Sequence, residues 1–568
     1  MANSVFPYNN LAETYRYYSL PFCQPLERRP KEAQRFGELL SGDRRVPTGY
    51  EVLYAQEGSF RSLCKDMLQP DELQQFSEAI QENYFYELFI DDLPVSGPIG
   101  REIGETIPMA DLMPSLRSTS VEVRLYTHTK FIIGYNEEEN RIVSVSTTTR
   151  DTDEDSPSVD ITDTTKPIEV TFTYSVEWKK DPTPFSARME KLAGGGLLPG
   201  TFEIHWLSII NSFVLVLILT VFLGIILLRG VNKDFSRYTD GEEIGEEESG
   251  WKLIHGDVFR FPRRTSLFCA LTGAGAHLCL VTLALLVCAL FGVFRPTKRG
   301  SVITCILVLY CATAWVGGFM SARLYRQFGG RSWAWNAVMS SLVFPLPLLG
   351  VFSIVNSIAW YQSSTAALPL YPVAVIAAMF LFIAFPMTVL GAILGRRVST
   401  DFEAPCRTTR VPRQVPKDLA CYRGNACQMF MSGFLPFSAI YIELHYVFAS
   451  VWGHHYYTLF GILILAFLLL LVVCSFITVA LLYFQLGRED HRWWWRSFFS
   501  GGATGLFVYG YSFFYFFNRS DMYGLLQSSI YFGYMAVISY AFFVMLGFVG
   551  FISSLAFVKH IYSAVKCD

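Results

Sequence analysis

Charge is scarce in this chain. Only 17% of its 568 residues are Asp, Glu, Lys or Arg, against about 25% in an ordinary soluble domain. The formal net charge is −3 at pH 7, which leaves no basic excess for phosphate backbones and argues against nucleic acid as a partner. Catalytic signatures are missing as well. The sequence has no P-loop, nucleophile elbow, zincin helix or ordered nucleophile–base set, so neither an enzyme nor a cofactor is expected. No Cys/His pairing at finger spacing surrounds Cys421 and Cys427, and these read as juxtamembrane thiols rather than a zinc site. Residues 1–20, "MANSVFPYNNLAETYRYYSL", contain no apolar h-region and hence no signal peptide. The expectation is that the native start has been trimmed.

Long apolar runs are what the chain has in quantity. Hydrophobic residues make up 52% of it and aromatics 16%, concentrated after residue 206. A helix crossing the hydrocarbon core needs about 20 mainly apolar residues. Nine runs meet that length, at 207–228, 267–294, 301–322, 333–359, 369–394, 429–451, 458–484, 498–517 and 529–557, the fourth interrupted by Pro345 and Pro347. The expected fold is a polytopic α-helical membrane protein with nine transmembrane helices and an N-terminal, mostly-β, sandwich-like domain. Residues 1–200 form the β-rich domain. Residues 201–568 form the membrane domain, with an acidic loop at 230–266 and a short tail at 558–568.

Lys and Arg set the orientation. They crowd the loops on one side, for example Arg260, Arg263, Arg264, Arg323, Arg326, Arg396, Arg397, Arg413 and Arg496. The opposite loops carry only Arg295, Lys298, Arg299 and Arg519. The rich side reads as cytosolic, which puts residues 1–206 in the lumen and the C-terminus in the cytosol. Cys23 and Cys64, the only cysteines of the N-terminal domain, then lie in an oxidising compartment and are candidates for a disulfide.

Within that domain, 50–56, 121–128, 130–136, 141–149 and 168–178 alternate or run β-branched and aromatic, as strands do. "DELQQFSEAIQENYF" (71–85) follows Pro70 with acids in its first turn and predicts a helix. The acidic tract 150–167 reads as an exposed loop, 179–205 as a tether, and 240–250 as a disordered linker.

At this point the chain resembles a known family, the transmembrane 9 superfamily or nonaspanins. The residues that carry the likeness are "ETYRYYSLPFC" (13–23), "IDDLP" (90–94), "IHWLSIINSF" (204–213), "GWKLIHGDVFR" (250–260), "APCR" (404–407), "GFLPFSAIYIEL" (433–444), "YFQLGREDHRWWWRSF" (483–498) and "KCD" (566–568). Family members begin with a signal peptide and a further β segment that this sequence lacks. The resemblance implies a Golgi and endosomal membrane protein acting in sorting and surface delivery. Its clients would be other membrane proteins with glycine-rich or polar spans. Family tails of the form Lys-x-Asp/Glu bind coat proteins and retain the protein in the Golgi, a role that falls here on Lys566 and Asp568.

One intramembrane feature stands apart from the resemblance. Glu443 lies inside the sixth run, where an acid costs about 2.5–3.5 kcal/mol on insertion scales. At 100° per residue, Ser432, Pro436, Ala439, Glu443 and Tyr446 fall within about 80° of one face, and this small or polar stripe should face other helices. His445 lies about 200° away and cannot pair with Glu443. Asn211, His277 and Asn356 are candidate partners on other spans. A groove for client helices, an ion or proton site in a transporter, and a structural helix lock all remain open readings of Glu443. Trp493, Trp494 and Trp495 read as interfacial anchors in the lipid bilayer. "GHHYYT" (453–458) has no nearby acid to complete a metal site.

Overall fold

The N-terminal 180 residues are rich in alternating β-branched and aromatic positions, and in the computed structural model they form β1 (Ala2–Pro7), β2 (Tyr15–Arg16), the short helix α1 (Phe36–Leu40), β3 (Gly58–Leu68), helix α2 (Pro70–Gln81), β4 (Tyr84–Ile90), β5 (Leu93–Pro98), β6 (Gly100–Ile103), β7 (Glu122–Tyr126), β8 (His128–Asn136), β9 (Arg141–Thr148), β10 (Ser158–Asp160) and β11 (Ile168–Lys180). The structure describes residues 1–25, 34–103, 122–148, 158–188, 191–192, 202–244, 250–294, 300–415, 424–452 and 460–563.

The strands form three sheets, β2-β1-β4-β5, β10-β7-β6 and β3-β11-β8-β9. They share one core in which Leu73 and Phe76 of α2 meet Val5, Leu88, Leu125, Phe131 and Phe172. The domain is thus mostly β, built from three sheets rather than the two faces of a simple sandwich. Pro98, at the end of β5, lacks an N–H for further pairing, and β6 joins β7 instead.

Two local readings are corrected. Residues 50–56 form no strand. The helix expected over 71–85 stops at Gln81 because Asn83 takes a left-handed φ of 53°, and Tyr84–Ile90 then runs as β4. Asp91 and Asp92 also have positive φ, 49° and 64°, and Ile90 pairs with Leu93. A two-residue hairpin matching the twist of its strands needs that conformation. Cys23 is bonded to Cys64 of β3, with Cα atoms 6.0 Å apart.

The helices that follow are α3 (Phe202–Ile244), α4 (Thr265–Leu290), α5 (Ser301–Gln327), α6 (Trp333–Leu342), α7 (Pro345–Tyr361), α8 (Leu370–Met379), α9 (Phe385–Val398), α10 (Asn425–Trp452), α11 (Phe460–Leu486), α12 (Trp493–Arg519) and α13 (Leu525–Ser563). Among the described residues, eight helical stretches are long and apolar enough to cross a membrane, with α6–α7 and α8–α9 each acting as one stretch. The run expected at 498–517 lies in α12, which is not one of the eight. Its 27 residues reach about 40 Å, but Ser, Gly and Tyr dilute its apolarity. Those residues serve packing, since Ser497, Gly501, Gly502, Gly505 and Ser512 are all buried.

Prolines explain both broken spans. Pro345 starts α7 at a position where no N–H is needed. Pro386 cannot donate, and its ring crowds the carbonyl four residues back; the turn before it, Phe380–Ala384, widens to a π-helix.

The β domain is hydrogen-bonded to one end of the bundle. Thr365 N–H donates to Thr14 O over 2.8 Å, Ser364 Oγ donates to the same oxygen over 2.8 Å, and Arg44 Nη2 donates to Ala367 O over 3.2 Å. Gln527 Nε2, in the first turn of α13, donates to Glu13 Oε2. At the far end of α13, the Tyr562 hydroxyl donates to Trp251 O.

Candidate functional site

Glu443 sits on α10, whose buried face includes Ser432, Gly433, Pro436, Ala439, Ile440, Glu443 and Leu444. Small residues let this helix lie close to its neighbours. A Cβ at Gly433 would fall 2.8 Å from the backbone of Ala503, and Ser432 Oγ donates to Ser500 O over 2.9 Å, both on α12. Further along, Ala439 packs with Val216 of α3 and with Leu469 and Val473 of α11. Glu443 is 7% exposed, and its Oε2 is buried with no hydrogen-bond partner among the described residues. Leaving such an atom unpaired costs about 1–3 kcal/mol.

Of the partners considered for Glu443, the two whose side chains are described are hydrogen-bonded elsewhere. His445 Nδ1 lies 3.0 Å from the Tyr511 hydroxyl, on the α12 side. His277 Nε2 donates to Tyr310 O over 3.0 Å. Asn356 Oδ1 accepts from Leu368 N–H over 2.8 Å. The side chain of Asn211 lies outside the described residues.

His277 borders a second intramembrane feature, an enclosed cavity among α4, α5, α6 and the π turn, lined also by Tyr310, Ser340, Ser341 and Thr388. Its volume is about 10 Å³. One water needs about that much space, so no larger solute fits in this conformation.

The other constellation lies at the bundle end opposite the β domain, where three of the sequence blocks that carry the family likeness, 250–260, 404–407 and 483–498, converge. Asp234 of α3 accepts from the Trp251 indole over 3.3 Å and from the Tyr483 hydroxyl. Asp257 accepts from Arg260 Nη2 over 2.7 Å, from the Thr409 hydroxyl over 3.2 Å and from the Arg413 backbone N–H over 3.1 Å. Burial alone would raise the Asp257 carboxyl, but these donors outweigh it and hold the group below the usual carboxylate range. Arg413 pairs with Glu489 over 3.2 Å and Arg496 with Asp490 over 3.0 Å. Glu489 and Asp490, just before α12, are therefore both paired within the chain.

The tryptophans require a correction too. Trp493 is 0% exposed and Trp494 3%, stacked with ring centroids 4.3 Å apart. Trp493 Nε1 donates to Val258 O over 2.7 Å, and Trp495 Nε1 donates to Arg263 O over 2.9 Å. These rings clamp the 250–264 segment; the first two do not lie in a lipid belt. Composition could not reveal this, because the acceptors lie more than two hundred residues away. The available signal was that three of the quoted blocks, 250–260, 404–407 and 483–498, fall at the same, Lys/Arg-rich side of the bundle. The cluster fixes Tyr562, within the tail segment 558–568; Lys566 and Asp568, like the histidines of 453–458, lie outside the described residues.

Comparison with known proteins agrees with the sequence likeness. The family profile described as Endomembrane protein 70 matches residues 14–525. The chain is 43% identical over 571 residues to Transmembrane 9 superfamily member 4 of Arabidopsis thaliana, covering 100% of this chain and 93% of the relative. It is 40% identical over 580 residues to Transmembrane 9 superfamily member 1 of Bos taurus, covering 100% and 92%. A protein of Dictyostelium discoideum named Putative phagocytic receptor 1b is 43% identical over 570 residues, covering 100% and 93%. No solved structure matches. Matched along its whole length by such relatives, the chain belongs to the transmembrane 9 superfamily, the endomembrane protein 70 family.

Proposed function

We propose that this protein is a non-enzymatic trafficking factor of Golgi and endosomal membranes, acting in the sorting or surface delivery of other membrane proteins. In this reading nine helices span the bilayer, with α12 as the eighth. The β domain of residues 1–200 faces the lumen, and the membrane domain of 201–568 ends in a cytosolic tail. Client transmembrane segments, glycine-rich or polar, are met along the stripe of Ser432, Pro436 and Glu443. Lys566 and Asp568 engage coat proteins that keep the complex cycling.

The observation that carries this reading is the buried Glu443 Oε2, which has no partner among the described residues. It lies on a face lined by small residues that α3, α11 and α12 approach closely, so a client helix would enter by displacing one of them. The same oxygen favours a second reading, an ion- or proton-coupled transporter with Glu443 as its site.

Glu443→Gln separates the two. It keeps a hydrogen-bonding group and removes the titratable proton. Client delivery to the cell surface and proton flux in reconstituted vesicles are measured side by side. Sorting predicts a changed client yield with no flux in either form. A flux present in the wild type and abolished in the variant, with delivery intact, defeats the sorting reading.

A further inference from the structure

A different site emerges where α5 and α9 end on the Lys/Arg-rich side. Their backbones meet without intervening side chains. A Cβ on Gly391 would press into the Trp315 carbonyl, one on Gly395 into that of Phe319, and one on Gly318 into that of Thr388. Ser399 Oγ then ties the end of α9 to Arg323 O over 3.1 Å. This close crossing has an electrostatic consequence. It places Arg326 of α5 beside Arg396 and Arg397 of α9, with Arg326 Nη1 donating to Arg396 O. Trp333, opening α6, closes the third side, with the Arg396 guanidinium 5.7 Å above its ring.

These residues and Ile393 line an open pocket of about 340 Å³. That falls within the range of about 300–1,000 Å³ usual for ligand sites, unlike the cavity at His277. Among the described residues, no carboxylate pairs with Arg326, Arg396 or Arg397. The three exposed guanidinium groups line one open pocket, where water and salt screen part of their mutual repulsion and an anion held between them lowers it further. Guanidinium forks match phosphate oxygens in pairs, and a tryptophan beside them sits at the level of lipid headgroups.

We propose that this pocket binds a phosphate monoester, of the kind carried by phosphorylated inositol headgroups. The Lys/Arg bias turns it toward the cytosolic leaflet, where anionic headgroups fill basic pockets between helices. Arg326, Arg396 and Arg397 supply the donors, Trp333 covers the ring of the headgroup, and Ile393 meets the start of the acyl chains. The site stands apart from Glu443 and does not depend on the client reading.

The test uses the full-length protein in neutral detergent micelles, with fluorescent phosphatidylinositol 4-phosphate as probe and phosphatidylcholine as the neutral comparison. Saturable binding of the phosphorylated lipid is expected, falling at least tenfold in Arg396→Gln/Arg397→Gln and unchanged in the exposed-loop control Arg410→Gln. Arg396→Lys/Arg397→Lys keeps the charge and retains part of the affinity, which separates loss of charge from loss of fold. Soluble inositol 1,4-bisphosphate identifies the source of the phosphate. Displacement at equal concentration assigns the site to a free phosphate ester, and displacement only at hundredfold excess assigns it to the lipid. Equal binding of phosphatidylcholine, or undiminished binding in the double Gln variant, overturns the proposal.

Discussion

Replacing Gly391 by Ala adds a single methyl group, yet the structure gives it nowhere to go. That carbon would lie 2.7 Å from the carbonyl carbon of Trp315 and 2.8 Å from its Cα, whereas carbon atoms prefer about 3.5–4.0 Å. The obstacle is backbone on a neighbouring helix, so no rotamer change relieves it, and α5 and α9 must part by about 1 Å. A gap of that size forfeits up to about half of the dispersion attraction at each affected contact. Overpacking of this kind costs about 1–3 kcal/mol, and here the upper end is expected, because Gly318 and Gly395 share the interface and lose contact together. Equilibrium unfolding of the purified protein in mixed micelles, followed by tryptophan fluorescence, measures the difference. Ala should be destabilising by about 3 kcal/mol, and Leu should fail to assemble. Stability within about 0.5 kcal/mol of wild type, the scatter of ordinary surface changes, would refute the claim that these two backbones touch.

Two further outcomes are expected. The Asp257 carboxyl is held below its ordinary range by the donors around it, so its contribution is complete above the unfolded value of about 3.9 and is lost as pH falls through the lower folded value. Hydrogen exchange of residues 402–415, corrected for intrinsic rate, should therefore stay flat from pH 7 to 5 and rise below 4. Asp257→Asn should raise it already at pH 7, weakening the clasp by about 1.5–3 kcal/mol; equal protection in both forms at pH 7 would contradict this. Separately, Lys566→Ser/Asp568→Ser should shift the steady-state distribution away from the Golgi in imaged cells, and an unchanged distribution would count against the tail as a coat-binding signal.

Eight of the nine membrane runs were legible because 20 consecutive apolar residues have few other homes, and the break at Pro345 showed for an equally local reason, while the π turn before Pro386 did not. Strands β8, β9 and β11 announced themselves by alternation over 8 or more residues. What stayed hidden depended on distant partners. The sequence around Tyr84 continues a helical pattern, and only pairing with β1 and the left-handed Asn83 turn it into a strand. Trp493 reads as an interfacial residue until Val258 O is found opposite its indole. Glu443 was recognisable as an anomaly and its face followed from helical spacing, but its lack of a partner among the described residues depends on three-dimensional packing. The arginine pocket draws on α5, α6 and α9, and no single window of the sequence contains it.

Helix α13 carries a mechanical implication. Its 39 residues extend about 58 Å, well beyond the 40–45 Å of a bilayer with its headgroups. One end is bonded to the β domain through Gln527 and Glu13, and the other to the far-side cluster through Tyr562 and Trp251. The helix is therefore a connecting rod pinned at both ends, and a tilt of the β domain about the membrane normal is delivered at Tyr562, one residue before the last one described. The β domain and the segment that leads into the proposed coat-binding tail therefore sit on opposite ends of one stiff part.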